Sequence, residues 1–311
     1  MSQANNVSHR AVAGWIRRTL AADPPRAKSL IVTAWGDALA PHGGAVWLSG
    51  LIRLMAPFGI NERLVRTSVF RLARDGWLAH ATHGRRSRYR LTREGTRRFD
   101  DAYHRIYERP ADDWHGQWEL VLAEGVPAAS RAAMREELAW AGFGELGPAA
   151  FLRPHEPGRA LPSILTANRL AATAALALAT DLPGQRPIAA TVDSAWDLAA
   201  LAADYRRFLA RFGAVIEHFR NGRTHDPQQC FIVRTMLIHA YRRVLLRDPL
   251  LPAALLPLDW PGAAAYALCR DFYRLTHREA EQHLVATLSE PDAAWPPAGE
   301  GFYARFGGLA T

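Results

Sequence analysis

Residues 61–90 read NERLVRTSVFRLARDGWLAHATHGRRSRYR, eight arginines set against two acids, Glu62 and Asp75. Projected as a helix at about 100° per residue, Val65, Val69, Leu72 and Ala73 fall on one side. Arg63, Arg66, Thr67, Phe70, Arg71 and Arg74 occupy the other. Asn61 is a good N-cap and Gly76 a natural stop, so the pattern predicts a helix running to about Asp75. A surface helix balanced only for solubility mixes acids into its polar face. Here the acids stand only at the ends, and the basic face is separate from the core face, as a helix lying in a groove of a polyanion requires.

The flanking sequence supplies partners for that helix. PRAKSLIVTAWGDALAP places Leu30, Ile31, Ala34, Ala38 and Leu39 at helical spacing, and AVWLSGLIRLMAPFG does the same with Val46, Leu48, Leu51, Ile52 and Met55 before Pro57 and Gly59 break it. Two short helices, a tight turn and a basic third helix give a helix-turn-helix order. After it, WLAHATHGRRSRYRLT reads as two extended runs around His83-Gly84, with Tyr89 and Leu91 alternating against Arg88 and Arg90. An arginine-tipped hairpin behind a helix-turn-helix is a winged helix, whose wing reaches phosphates or the minor groove. A further helix is expected from Arg93 to Tyr107, leading out of this module.

Charge is distributed to match. The first 110 residues hold 19 Arg and Lys against 8 Asp and Glu, and the remainder 19 against 22, within a 311-residue chain of formal charge +8. Only Lys28 is a lysine, so arginine is favoured throughout, but that preference does not explain the asymmetry. A basic N-terminal module facing nucleic acid, joined to an ordinary globular body, does. Cys230 and Cys269 form no C-x-x-C pair, so neither a disulfide framework nor a zinc finger is expected. The first 25 residues lack a continuous apolar run, no later run approaches a membrane span, and a cytoplasmic protein is expected.

Beyond Pro110 the rhythm changes. QWELVLAEG, AAFLRP and AALALAT read as strands, and AASRAAMREELAWAGF and SILTANRLAAT as helices, which suggests a small ferredoxin-like layer. From Val192 onward the chain reads as long helices interrupted by Pro249, Pro252, Pro257 and Pro261, with no internal repeat.

These blocks closely resemble the PaaX family of transcriptional repressors of phenylacetate degradation. The likeness runs through GDALAPHGGAVWLSGLIRLMAPFGINERLVRTSVFRLARDGWL, GRRSRYRLT, WHGQWELVL, LAWAGFGELGPAAFLRP and RTMLIHAYRRVLLRDPLLPAALLPLDWPG, over about residues 26 to 285. Residues 1–25 and those after Leu288 lie outside it. The resemblance implies an α+β multidomain protein: a winged-helix DNA-binding domain over 26–110, a ferredoxin-like, Cas2-like domain over 111–190, and a helical effector and dimerisation domain over 191–290. It implies a homodimeric repressor that binds double-stranded operator DNA and is released by an aryl-CoA thioester such as phenylacetyl-CoA. The DNA-binding residues would be Arg63, Arg66, Thr67, Phe70, Arg71 and Arg74 on the recognition helix, with Arg85, Arg86 and Arg88 on the wing.

Other constellations carry less. IHAYRRVLLRDP puts His239, Arg242, Arg243 and Arg247 on one helix, where arginine forks suit the pyrophosphate of CoA, and Tyr241 and Trp260 could flank an adenine or aryl ring. The competing reading pairs these arginines with Asp248 and Asp259, most simply Arg247 with its neighbour Asp248. GFGELG at 142–147 matches G-x-G-x-x-G but closes a helix and precedes a strand, the reverse of a dinucleotide site. A Cas2-like layer raises a metal-dependent nuclease as the alternative function, with Glu119 or Glu124 as metal-holding acids, but no second carboxylate stands at a comparable position. His218, His225, Asp226 and His239 match no metal spacing, and His225-Asp226-Pro227 reads as a turn or a helix start. No catalysis, metal or cofactor is expected.

Overall fold

The structure, a computed structural model, describes residues 3–108, 114–156, 165, 173–178, 188–221, 225–291 and 293–309. Its described chain divides into two compact units, residues 1–109, 207–242 and 263–311 in the first and 110–206 with 243–262 in the second.

In the first unit, α1 (Gln3–Ala22) precedes α2 (Ala27–Ala34), which continues through one π turn, Trp35–Leu39, and a 3-10 turn, Ala40–His42, to Gly43 at φ 84°. Then come β1 (Ala45–Trp47), α3 (Leu48–Met55), α4 (Glu62–Arg74), the hairpin β2 (Leu78–His83) and β3 (Arg86–Leu91), and α5 (Arg93–Tyr107). Val46 was expected in the second helix and instead lies in β1, which pairs antiparallel with β3, Val46 opposite Tyr89. The three-residue strand is too short to show a period, and its partner stands more than forty residues away. The sheet order β1-β3-β2 with α2, α3 and α4 packed on it is the winged helix-turn-helix expected.

Local chemistry explains why α4 starts and stops where it does. Asn61 Oδ1 accepts the Leu64 N–H at 3.0 Å. At the other end Gly76, at φ 78°, lets its own N–H reach Ala73 O while Trp77 N–H reaches Leu72 O, which satisfies two otherwise orphaned carbonyls. Val65, Ser68, Val69 and Leu72 are buried, as are Leu30 on α2 and Leu51, Leu54 and Met55 on α3, the two helices against which α4 packs. The C-terminal part of α8 (Leu198–Asn221), most of α9 (Pro227–Leu245) and α10 (Gly262–Leu288) complete this unit. Asp226 caps α9 by accepting the Gln229 N–H at 2.8 Å, the helix start expected there. Helix α1, for which nothing was expected, packs Trp15 on Phe212 of α8, ring centroids 5.5 Å apart, and Asp23 just beyond it accepts from Arg211 at 2.8 Å.

The second unit holds β4 (Gln117–Leu122), α6 (Ala128–Trp140), β5 (Gly144–Gly147), β6 (Ala150–Pro154), β7 (Thr173–Leu178) and α7 (Ile188–Ala195). The strand order β5-β6-β4-β7, antiparallel throughout, is the order of a ferredoxin-like sheet. Val121 and Phe151 pack against Met134 and Leu138 of α6 on one face, and Trp118 and Leu152 against Val192 and Leu198 on the other. Of the helix expected over 163–173, all but residues 165 and 173 lie outside the described residues, and Thr173 opens the strand β7 instead. GFGELG is only partly the turn expected: Gly142, at φ 90°, closes α6, but Gly144–Gly147 is the strand β5, paired with β6, which was not expected.

Candidate nucleic-acid interface

Arg63, Thr67, Phe70 and Arg74 lie opposite the buried stripe of α4, with Arg66 on one flank and Arg71 on the other. All six are exposed, Phe70 to 66%. Leu64, also exposed, extends the apolar element at the N-terminal end and was missed because its position on the wheel borders the core face. The two acids of the stretch are both engaged. Glu62 takes Arg66 Nη2 at 2.6 Å one turn on. Asp75 takes Lys28 Nζ at 2.7 Å, a hydrogen bond that draws its carboxyl below the ordinary value. Among the described residues Arg63 and Arg71 make no ion pair, so this face presents fixed positive charge and one large apolar ring outward.

The wing is a hairpin in register Leu78↔Leu91 to His83↔Arg86, closed by Gly84-Arg85 with Gly84 at φ 61°. That is the turn position at which a side chain is strained and glycine is not. Alternation along β3 puts Arg86, Arg88 and Arg90 on the exposed face, while Tyr89 turns toward the helical side. Burial pushes the Tyr89 phenol up, opposed by the Arg66 charge, so wing and recognition helix stand close enough to feel each other. Arg86 lies 4.2 Å over the Trp47 ring and Arg88 5.7 Å from it, while Arg85 is exposed at the turn. Trp47 carried no signal in the sequence, because it was read as helical.

The residues expected at an effector site are divided between the two units. His239 is buried with its Nδ1 2.9 Å from Thr33 Oγ1, and Tyr241 is buried with its ring 5.6 Å from that of Phe208. Both are packed into the first unit. Arg242 Nη2 donates to Ser29 Oγ and O at 3.3 and 3.4 Å, burial lowers its basicity, and among the described residues it has no acidic partner. Arg243 is exposed and Trp260 packs edge-on against Tyr205 at 5.9 Å, both in the second unit. The arginine pairing differs from the expected one: Arg247 pairs with Asp204, Asp248 accepts from the Tyr205 hydroxyl at 2.6 Å, and Asp259 takes Arg206 at 2.8 Å.

The acids considered for a nuclease are placed as follows. Glu119 is buried, one oxygen 2.8 Å from Arg153 Nη2 and the other 2.9 Å from His155 Nδ1, and Glu124 is exposed beyond β4. Among the described residues no three His, Cys, Asp or Glu side chains gather as metal ligands, and no helix is long and apolar enough to cross a membrane.

Three family descriptions match the chain: PaaX-like protein over residues 26–95, PaaX protein central Cas2-like domain over 111–191, and PaaX-like protein C-terminal domain over 196–286. The transcriptional repressor PaaX of Escherichia coli (strain K12) is 34% identical over 302 residues, covering 95% of this chain and 94% of that protein. A solved structure, an uncharacterized protein from Mycobacterium tuberculosis, is similar with a TM-score of 0.50 at 28% identity, over 90% of this chain and 98% of that one.

Proposed function

Because the chain belongs to the PaaX family, we propose that it is a DNA-binding transcriptional repressor of aromatic, phenylacetate-type catabolic genes, released from operator DNA by an aryl-CoA thioester such as phenylacetyl-CoA. The observation that carries the DNA-binding part is the outward face of α4, where Arg63, Arg71 and Arg74 flank Phe70 on a helix capped at both ends and seated on a dry core. Arginine forks grip guanine edges or phosphates, and an exposed aromatic ring can meet a thymine methyl, so the face can read bases as well as hold the backbone. A homodimer follows from the two-fold logic of operators, with residues 26–110 binding DNA and 191–290 serving effector and partner.

Arg242 supports an anion in the first unit, since a partly buried guanidinium with no acidic partner among the described residues gains from a phosphate group. Arg243 adds a second, exposed charge. Glu119, engaged by Arg153 and His155, is occupied rather than open to a metal, which supports action by binding over hydrolysis.

The test uses the purified protein on its own promoter fragment. Retardation of the intact fragment without metal, reversed by phenylacetyl-CoA but not by CoA alone, is the expected result. Cutting of the fragment when magnesium is added would replace the repressor with the nuclease. Retardation that no aryl-CoA thioester reverses would leave the DNA-binding part standing and remove the inducer.

A further inference from the structure

Arg86 opens β3 directly after the hairpin turn, and in the free protein it is already engaged. Its Nη2 donates to Glu290 Oε2 at 2.5 Å while its guanidinium carbon lies 4.2 Å over the Trp47 ring centroid. The other oxygen of Glu290 stands 3.8 Å from Arg53 Nη2 on α3. Arg53 in turn donates through Nη2 and Nε to Thr287 O at 2.9 and 3.3 Å, which caps the last turn of α10. Glu290 is held where it is by its backbone, since its N–H reaches Ala293 O at 3.0 Å and the Ala293 N–H returns to Glu290 O at 3.2 Å. The carboxylate is mostly covered, its side chain 17% exposed, whereas Arg53 and Arg86 are about half exposed at 51% and 48%. An acid from the far end of the chain therefore sits between two cations of the winged helix.

A carboxylate and a phosphodiester make the same demands on a guanidinium: a negative oxygen, nearly coplanar, at about 2.7–2.9 Å from nitrogen. Packing over Trp47 restrains Arg86, which reduces the rotamer freedom lost when an anion is gripped. Whatever anion occupies this position gains Arg86 directly and the Arg53 charge behind it. We propose that Arg53 and Arg86, on the Trp47 platform, form a DNA phosphate site, and that Glu290 fills this site in the DNA-free protein as a built-in competitor. The proposal rests on the DNA-binding reading above and adds to it a contact, Arg53, and a restraint, Glu290, that lie outside the recognition helix. Because a phosphate carries no sequence information, the competition weakens binding to all DNA and leaves base preference unchanged.

Removing the charge of Glu290 should therefore raise affinity. Glu290→Gln is expected to bind the promoter fragment, and a random duplex of the same length, about threefold to tenfold more tightly than wild type. Arg53→Ala in the Glu290→Gln background should remove most of that gain and flatten the dependence of log K on log salt by about one unit. Glu290→Asp keeps the charge and should bind no more tightly than wild type. Equal affinity of wild type and Glu290→Gln would overturn the proposal. Weaker binding by Glu290→Gln, with the fold intact by circular dichroism, would overturn it too, because Glu290 would then be holding the wing in its DNA-competent pose. So would a gain by Glu290→Asp as large as that of Glu290→Gln. Failure of wild type to retard any duplex is a different outcome, which would sink the DNA-binding reading itself and this proposal with it.

Discussion

Arg66 and Arg63 are three residues apart on the same basic helix, yet the structure gives them different tasks. Arg66 is tied to Glu62 and sits on the flank beside Tyr89, whereas Arg63 points away from the core with no ion pair among the described residues. Arg63→Ala should cost about 1–3 kcal/mol on operator DNA and much less on random DNA, as the loss of a base contact does. Arg66→Ala should cost less on operator, because wild-type Arg66 must leave Glu62 before it can serve DNA. Parallel titrations of both variants on operator and random duplexes check the order, and equal losses on the two duplexes for Arg63→Ala would make that residue a phosphate contact. The outward set on α4 was legible because period and charge coincide on one short helix. The partners that modulate it were legible only where they lay one turn away, as Glu62 does. Glu290, 204 residues from Arg86, was not.

At the scale of elements, the caps were readable and the short strand was not. Asn61 and Gly76 announced the ends of α4 through their own chemistry, whereas β1 exists because β3 supplies its hydrogen bonds. Helix α1 is a similar case, since its residues show no dominant apolar run and its order comes from burying Val12 and Ile16 in the unit that α8 joins. Where α5 begins, Thr92 Oγ1 accepts the Gly95 N–H at 2.9 Å and the helix presses against the end of the recognition segment. A Cβ on Gly95 would stand 2.2 Å from Trp77 O, a backbone atom that cannot swing aside. Gly95→Ala should therefore destabilise the first unit by about 1–3 kcal/mol through overpacking, despite the better helix propensity of alanine. Urea unfolding followed by circular dichroism measures it, and an unchanged midpoint would mean that α5 shifts freely relative to Trp77.

At the scale of the whole chain, the first unit is closed by a buried ionic cluster drawn from segments far apart in sequence. Asp37, on the π turn after α2, receives the Tyr107 hydroxyl at 2.7 Å and the Tyr273 hydroxyl, and lies 3.3 Å from Arg234 Nε and 3.6 Å from Arg305 Nη1. None of this was visible in the sequence, where Asp37 reads as one acid on the first helix and Arg305 falls beyond the family likeness. Removing the acid leaves the buried Arg305 without a carboxylate among the described residues and Arg234 with Glu281 alone, so Asp37→Ala should cost about 3–5 kcal/mol in chemical unfolding. The cluster also carries a pH signature through Glu281, which links His42 Nε2 at 2.8 Å to Arg234 Nη1 at 3.1 Å. Burial alone would raise the Glu281 carboxyl, but the His42 hydrogen bond and the Arg234 charge outweigh it and hold it below the ordinary 4.5. A carboxyl whose folded value is depressed stabilises the fold fully above its unfolded value and loses that contribution as pH falls through the folded one. Wild type should therefore exceed Glu281→Gln in stability at pH 7, and the difference should begin to close below about pH 4.5 and vanish at still lower pH. Unfolding free energies of the two proteins across pH 3 to 7 decide it: a gap that stays constant with pH would mean that Glu281 contributes shape and hydrogen bonds alone, with no charge held against Arg234.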